Sequence, residues 1–132
     1  MTDQAPSVLH VEDEEAVSFI LGKQFEARGY RVIKAVNGKE GLAAALKEHP
    51  DVIVTDIKMP VMTGTEMIKQ LRTDPWGMNA KIIVLTNFSD MDVLQEVLNQ
   101  GAMAIVKGDM KMDQIVGRVD EMLNKKPVNP LS

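Results

Sequence analysis

The sequence predicts a doubly wound α/β domain in which five strands alternate with five helices and form one parallel sheet covered on both faces. Three observations carry that expectation. Strand-like and helix-like segments alternate along the chain with short connections, as successive right-handed βαβ units do. The runs Val52-Ile53-Val54 and Ile82-Ile83-Val84-Leu85 are apolar on successive residues, as strands buried on both faces are. Arg31-Val32-Ile33-Lys34-Ala35 has a short apolar centre bracketed by charges, which marks an edge. With the second strand at an edge and the fifth short, the order 2-1-3-4-5 follows. It puts a topological switch point between strands one and three, where ligands bind at the carboxyl ends.

Each element has its own signal. Val8-Leu9-His10-Val11 is the first strand and runs into Glu12-Asp13-Glu14-Glu15. Negative charge in a helix's first turn accounts for Glu14 and Glu15, but Glu12 and Asp13 sit where a buried strand emerges. Val17, Ile20, Leu21 and Phe25 then give a core-facing helical stripe that ends at Gly29, with Phe19 off it. After the second strand, Asn37-Gly38-Lys39-Glu40 has the form of a capping box opening a helix that buries Leu42, Ala45 and Leu46. Pro50 forbids its continuation.

The third strand, Val52 to Thr55, delivers Asp56, and Thr63-Gly64-Thr65-Glu66 caps a helix carrying Met67, Ile68 and Leu71, closed by Asp74-Pro75. The fourth strand presents Thr86. Ser89 or Asp90 caps the next helix, with the stripe Leu94, Val97 and Leu98 ending at Gly101. The fifth strand, Met103 to Val106, delivers Lys107, and the last helix carries Met112, Ile115, Val116, Val119 and Leu123. The division expected is an N-terminal tail over 1–6, one domain over 7–124 and a C-terminal tail over 125–132, whose two prolines argue against a helix.

Composition narrows the function. The chain has 132 residues, enough for one core and not two. Its formal charge of −4 and lack of a Lys/Arg cluster argue against a nucleic-acid partner. With no cysteine there is neither a disulfide nor thiolate chemistry. The N-terminus has no basic start or apolar h-region, and no apolar run approaches about 20 residues. A soluble, cytoplasmic protein without membrane contact is expected.

Five residues that are far apart in sequence meet at the strand ends: Glu12, Asp13, Asp56, Thr86 and Lys107. Carboxylates this close repel, so either their pKa values rise or a cation lies between them. An all-oxygen donor set suits a hard ion, and Mg2+ uses one or two carboxylates, waters and a substrate phosphate. Lys107 supplies a point charge for a phosphoryl oxygen and the Thr86 hydroxyl a hydrogen bond to another. Asp56 is then the nucleophile that attacks phosphorus in line and becomes an acyl phosphate.

These residues, together with DVIVTDIKMPVMTG around Asp56, VLT ending at Thr86, GAMAIVK ending at Lys107 and the Glu48-His49-Pro50-Asp51 approach to strand three, identify a resemblance. The chain resembles a response-regulator receiver domain of two-component signalling over residues 6 to 124. That resemblance implies a flavodoxin-like (βα)5 fold in which Asp56 accepts a phosphoryl group from a sensor histidine kinase or histidine phosphotransfer protein. It implies Mg2+ held by Asp13, Asp56 and the backbone carbonyl of Lys58, with Glu12 assisting, and Thr86 and Lys107 gripping the phosphoryl group. It further implies a conformational change read by a downstream protein target, and slow self-catalysed dephosphorylation rather than enzymatic turnover. With no room for an output domain, a stand-alone receiver is expected.

Three positions depart from that family. Ala104 stands where relatives carry an aromatic residue coupled to the threonine. Gly108 replaces the usual proline after Lys107; a cis bond there costs about 3 kcal/mol without proline, so trans is expected. Asn87 is larger than the usual small residue and narrows access to the phosphoryl group.

His10 is expected to be packed in its strand rather than phosphorylated, and His49 to end a helix. Ala16, Phe19 and Ile20 are expected to help dock the phosphodonor, and Phe88, with Lys58, to flank the path of attacking water. Two other classes compete. A haloacid-dehalogenase-like hydrolase needs a second acid at the position of Lys58, and a phosphorylation-independent scaffold has no use for the intact acids, threonine and lysine. Flavodoxin-like cofactor binding needs a neutral phosphate loop where Glu12 and Asp13 stand.

Overall fold

The structure, a computed structural model, describes residues 5–87, 91–108 and 110–123. Its elements are β1 (Ser7–Val11), α1 (Glu15–Ala27), β2 (Arg31–Ala35), α2 (Gly38–Glu48), β3 (Val52–Asp56), α3 (Gly64–Leu71), a 3-10 turn (Gly77–Asn79), β4 (Ile82–Thr86), α4 (Met91–Asn99), β5 (Met103–Val106) and α5 (Met112–Met122). The five strands form one parallel sheet in the order β2-β1-β3-β4-β5. Charge at both ends of β2 had marked it as an edge. β1, β3 and β4 are buried throughout apart from Asp56 at the end of β3.

Alternation along the strands divides the core in two. Leu9, Val11, Ile53, Ile82 and Val84 face α2, α3 and α4, where Ala45, Met67, Ile68, Leu71 and Val97 close the layer. Val8, Val52, Val54, Ile83 and Leu85 face α1 and α5, meeting Leu21, Phe25, Ile115, Val116 and Val119. His10 is fully buried, with its ring edge-on to Phe25, centroids 6.5 Å apart. Neither imidazole nitrogen has a hydrogen-bond partner. Burial, then the charges of Lys34 and Lys107, push its pKa down to about 4. The ring is therefore neutral and shielded, as a packed strand histidine is.

Several helices sit slightly rotated from their sequence stripes. Ile20, Leu46 and Leu98 are exposed, not buried. In α1 the buried face includes Gly22, over which the stem of Lys34 lies; a Cβ on Gly22 would stand 3.1 Å from Lys34 Cε. α3 ends at Leu71, three residues before Asp74. The Asp74 carboxylate instead accepts the N–H groups of Trp76 and Gly77, both at 2.9 Å, and opens the 3-10 turn. Arg72 ties this end of the sheet together, donating to the carbonyls of Gln100, Gly77 and Ala80. The Ser89 or Asp90 cap and the 125–132 tail lie outside the described residues.

Candidate functional site

β1 and β3 end side by side, with Val11 paired to Thr55, so the acids that follow must share one space. The Glu12 N–H still donates to the Ala35 carbonyl at 2.9 Å, which holds the Glu12 side chain in the protein at 2% exposure. One carboxylate oxygen from each of Glu12, Asp13 and Asp56 lies within 4.8 Å of the others. Asp13 is exposed and Asp56 half-buried. Burial pushes the Glu12 pKa up to about 6, with Asp56 and Asp13 adding to the rise and the Glu14 N–H and Lys107 opposing it. The three residues offer only oxygen donors and gather negative charge. Both properties suit a hard divalent cation.

Asp56 pairs with Leu85 and Thr86 with Val106. Asp56, Thr86 and Lys107 therefore step across three neighbouring strands at the same end of the sheet. The Lys107 N–H donates to the Thr86 carbonyl at 2.7 Å. The Thr86 hydroxyl is buried and donates to the carbonyl of Asn87 at 3.2 Å. Asn87 itself is exposed, Ala104 is half-buried, and Lys107–Gly108 is trans. Phe88 lies outside the described residues.

The loop after Asp56 is held at several points. The Ile57 N–H donates to Asp56 Oδ1 at 2.8 Å, and the Gly64 N–H closes the loop on the Ile57 carbonyl at 2.8 Å. A Cβ on Gly64 would stand 2.1 Å from the Asp56 carbonyl oxygen, so only glycine fits. Thr63 and Glu66 form a reciprocal capping box at the start of α3. Met59, two residues before Val61 in the same loop, is buried in the core under α3. The loop is also stapled to α2, whose Gly38 N–H donates to the Met62 carbonyl at 2.9 Å.

Sequence reasoning missed one feature of this loop. Val61 has φ +70°, and the Met62 N–H donates across it to the Pro60 carbonyl at 2.7 Å. That is the positive-φ form of the γ-turn, a rare and strained one. In a β-branched residue such a backbone costs on the order of 1–3 kcal/mol. No sequence signal points to it, because valine is disfavoured in that conformation.

Beside the carboxylates, Phe19 is 57% and Ile20 48% exposed. The Lys23 and Lys34 ammonium groups stand 5.5 and 5.9 Å from the Phe19 ring centroid. A groove of about 890 Å3 runs from Glu12 and Asp13 along Ala16 and Phe19 to Lys34 and Val36. No described helix is long and apolar enough to cross a membrane.

Residues 8–120 match the response regulator receiver domain family. The chain is 29% identical over 119 residues to sporulation initiation phosphotransferase F of Bacillus subtilis, covering 90% of this chain and 94% of that protein. Other curated relatives are longer, and the chain spans about half of their length or less. Among solved structures, chemotaxis response regulator CheY4 of Vibrio cholerae superposes with a TM-score of 0.81 at 30% identity, covering 89% of this chain and 98% of that one. The receiver domain of sensor histidine kinase PA1611 of Pseudomonas aeruginosa shares the fold, with a TM-score of 0.81 at 21% identity over 91% of this chain and 98% of its own. It carries a magnesium ion in its active-site cleft.

Proposed function

The chain belongs to the response regulator receiver domain family, and from that premise we propose that Asp56 takes a phosphoryl group from a phosphohistidine donor protein and that the phosphorylated domain signals to a protein partner. Receiver domains are signalling modules rather than classical enzymes. The observation that carries the reading is the convergence of Glu12, Asp13 and Asp56 oxygens within 4.8 Å at the ends of β1 and β3.

Asp13, Asp56 and the Lys58 carbonyl would hold Mg2+, with Glu12 assisting; Mg2+ also fits the cleft of the PA1611 receiver domain. When bound, the ion offsets the charge that phosphoryl oxygens and carboxylates bring together. An Asp56 carboxylate oxygen forms the new O–P bond as the N–P bond to the donor histidine breaks. The departing nitrogen keeps its electron pair, and the ring leaves as neutral imidazole because its other nitrogen carries a proton. Lys107 sets its ammonium against one phosphoryl oxygen. The Thr86 hydroxyl gives up the Asn87 carbonyl for another, which displaces the segment after β4 and carries the signal.

Incubation with Mg2+ and acetyl phosphate or beryllofluoride tests this reading, with Asp56→Asn as control. The expected result is one Asp56-dependent adduct and a conformational change. An adduct that survives Asp56→Asn, or none at all with folded protein, overturns it.

A further inference from the structure

We propose that Asn37 is a site of spontaneous covalent modification, deamidation through a succinimide, and that its rate is set by the opening of the hydrogen bond that staples α2 to the loop after Asp56.

Asn37-Gly38 is the only Asn-Gly pair in the chain. Such a pair is chemically labile, because a glycine nitrogen with no side chain beside it can close on the amide carbon of the preceding asparagine. The Gly38 nitrogen loses its proton to solvent base and bonds to Asn37 Cγ, and the side-chain nitrogen leaves as ammonia. One water then opens the ring. Cleavage of the Cγ–N bond gives aspartate in an ordinary main chain. Cleavage of the other C–N bond gives isoaspartate, in which the main chain runs through the former side chain and is one carbon longer. The sequence of steps needs water alone, with no oxidant or cofactor.

The fold both creates this pair and restrains it. Position 38 must be glycine, because a Cβ there would stand 2.5 Å from the Met62 carbonyl oxygen and 2.8 Å from that of Thr63. Asn37 is the N-cap of α2, its Oδ1 accepting the Glu40 N–H at 2.9 Å. The Gly38 N–H donates to the Met62 carbonyl at 2.9 Å, so the proton that must leave is held by an acceptor. A flat five-membered ring also needs the Gly38 nitrogen in line with the Asn37 Cβ. The extended Asn37 backbone, φ −159° and ψ 174°, holds it out of line. Ring closure therefore waits until Met62 lets go, and its frequency is that of a local opening. Met62 lies in the loop that the Gly64 N–H closes on the Ile57 carbonyl, so the reaction reports how often the segment after Asp56 parts from α2.

The two products differ in what they do to that staple. Aspartate caps a helix as well as asparagine, and its charge is favoured by the α2 dipole. Isoaspartate lengthens the main chain between the N-cap and the Gly38 N–H, so the cap and the bond to Met62 no longer fit together. An aged molecule carrying isoaspartate has its loop after Asp56 released from α2 for good.

The test ages the full chain at mildly alkaline pH and follows Asn37 by peptide mapping and mass spectrometry, with isoaspartyl methyltransferase labelling to tell the products apart. A peptide of residues 34–42 gives the unrestrained rate, and NMR hydrogen exchange of the Gly38 amide gives the opening. Asn37 is expected to be the first asparagine modified, yet at least tenfold more slowly than in the peptide. That retardation should match the Gly38 exchange protection within threefold. Thr63→Ala, which removes the capping box beside Met62, should lower both together, and urea below the unfolding transition supplies the same variation if that variant does not fold. Asn37→Ser keeps a cap and should abolish the isoaspartate signal. Asn37→Asp should unfold no earlier than the unaltered chain, whereas the isoaspartate-bearing fraction, separated chromatographically, should unfold at a lower temperature. Deamidation within twofold of the peptide rate overturns the proposal. So does a retardation that stays fixed while the Gly38 protection falls, or another asparagine modified first.

Discussion

The imidazole of His49 lies flat on the indole of Trp76, ring centroids 4.4 Å apart and planes 7° apart. His49 is the residue that ends α2, with φ +47°, so the stack joins that helix to the turn before β4. Two terms compete at this position. A left-handed non-glycine residue costs about 1 kcal/mol, and a stacked ring pair returns about 0.5–1.5 kcal/mol. His49→Ala loses the stack and keeps the strain, so a loss of about 1 kcal/mol is expected. His49→Gly loses the stack and sheds the strain, and should be nearly neutral. Urea unfolding followed by Trp76 emission compares the two; an alanine variant as stable as the glycine variant contradicts this account.

Two glycines should respond oppositely to alanine. A Cβ on Gly38 would stand 2.5 Å from the Met62 carbonyl oxygen and 2.8 Å from that of Thr63. Neither backbone atom can yield without disturbing the loop after Asp56, so Gly38→Ala should cost about 1–3 kcal/mol. Gly117, inside α5, has nothing within 4 Å of such a Cβ. Gly117→Ala should stabilise by about 0.5–1 kcal/mol through helix propensity. Thermal unfolding of both variants, side by side, is the measurement.

Tyr30 offers a pH reading that no other residue can obscure, because it is the only tyrosine in the chain. Its buried hydroxyl donates to Asp120 Oδ1 at 2.6 Å, while Arg28 pairs with Oδ2 of the same carboxylate. Burial first, then the Asp120 hydrogen bond and charge, raise the phenol above its ordinary value near 10. The unfolded chain therefore ionises first, and the stability held in this group is present below about pH 10 and lost as pH rises beyond it. Tyrosinate absorbance should appear late in the folded protein. Asp120→Asn should bring it to lower pH and cost about 2 kcal/mol. An unchanged midpoint in that variant counts against the link.

The crowding of Glu12, Asp13 and Asp56 predicts how Mg2+ acts on stability. At ten times its dissociation constant the ion should stabilise the fold by about 1.4 kcal/mol. Asp13→Asn removes one repelling charge and exchanges a carboxylate oxygen for a weaker, neutral amide oxygen, so without Mg2+ it should be no less stable, and with Mg2+ it should gain less. Differential scanning fluorimetry against MgCl2 reads both. An undiminished Mg2+ shift in the variant would remove Asp13 from the proposed ligand set.

The fold was legible because its signals are local and repeated. Apolar runs at Val52 and Ile82, charges around β2 and the Thr63-Glu66 cap each act within a few residues. The convergence of Asp56, Thr86 and Lys107 was legible through topology, since Asp56 and Thr86 end, and Lys107 follows, neighbouring strands of the same sheet. Helix rotation was not: Ile20 belongs to the apolar stripe of α1 yet is exposed, while Gly22, over which the Lys34 stem lies, is buried. Val61 was hidden for the opposite reason, because its tertiary anchors at Gly38 and Gly64 override what valine prefers locally.

Arg72 bears on the displacement proposed above for the segment after β4. Its guanidinium holds the carbonyl of Gln100, immediately beyond α4, together with those of Gly77 and Ala80. α4 is thus moored at its carboxyl end. A rod fastened at one end has a single inexpensive movement, a swing about its fastening. Under the function proposed for Thr86, the movement expected of α4 is therefore an arc of its amino end about the Gln100 fastening.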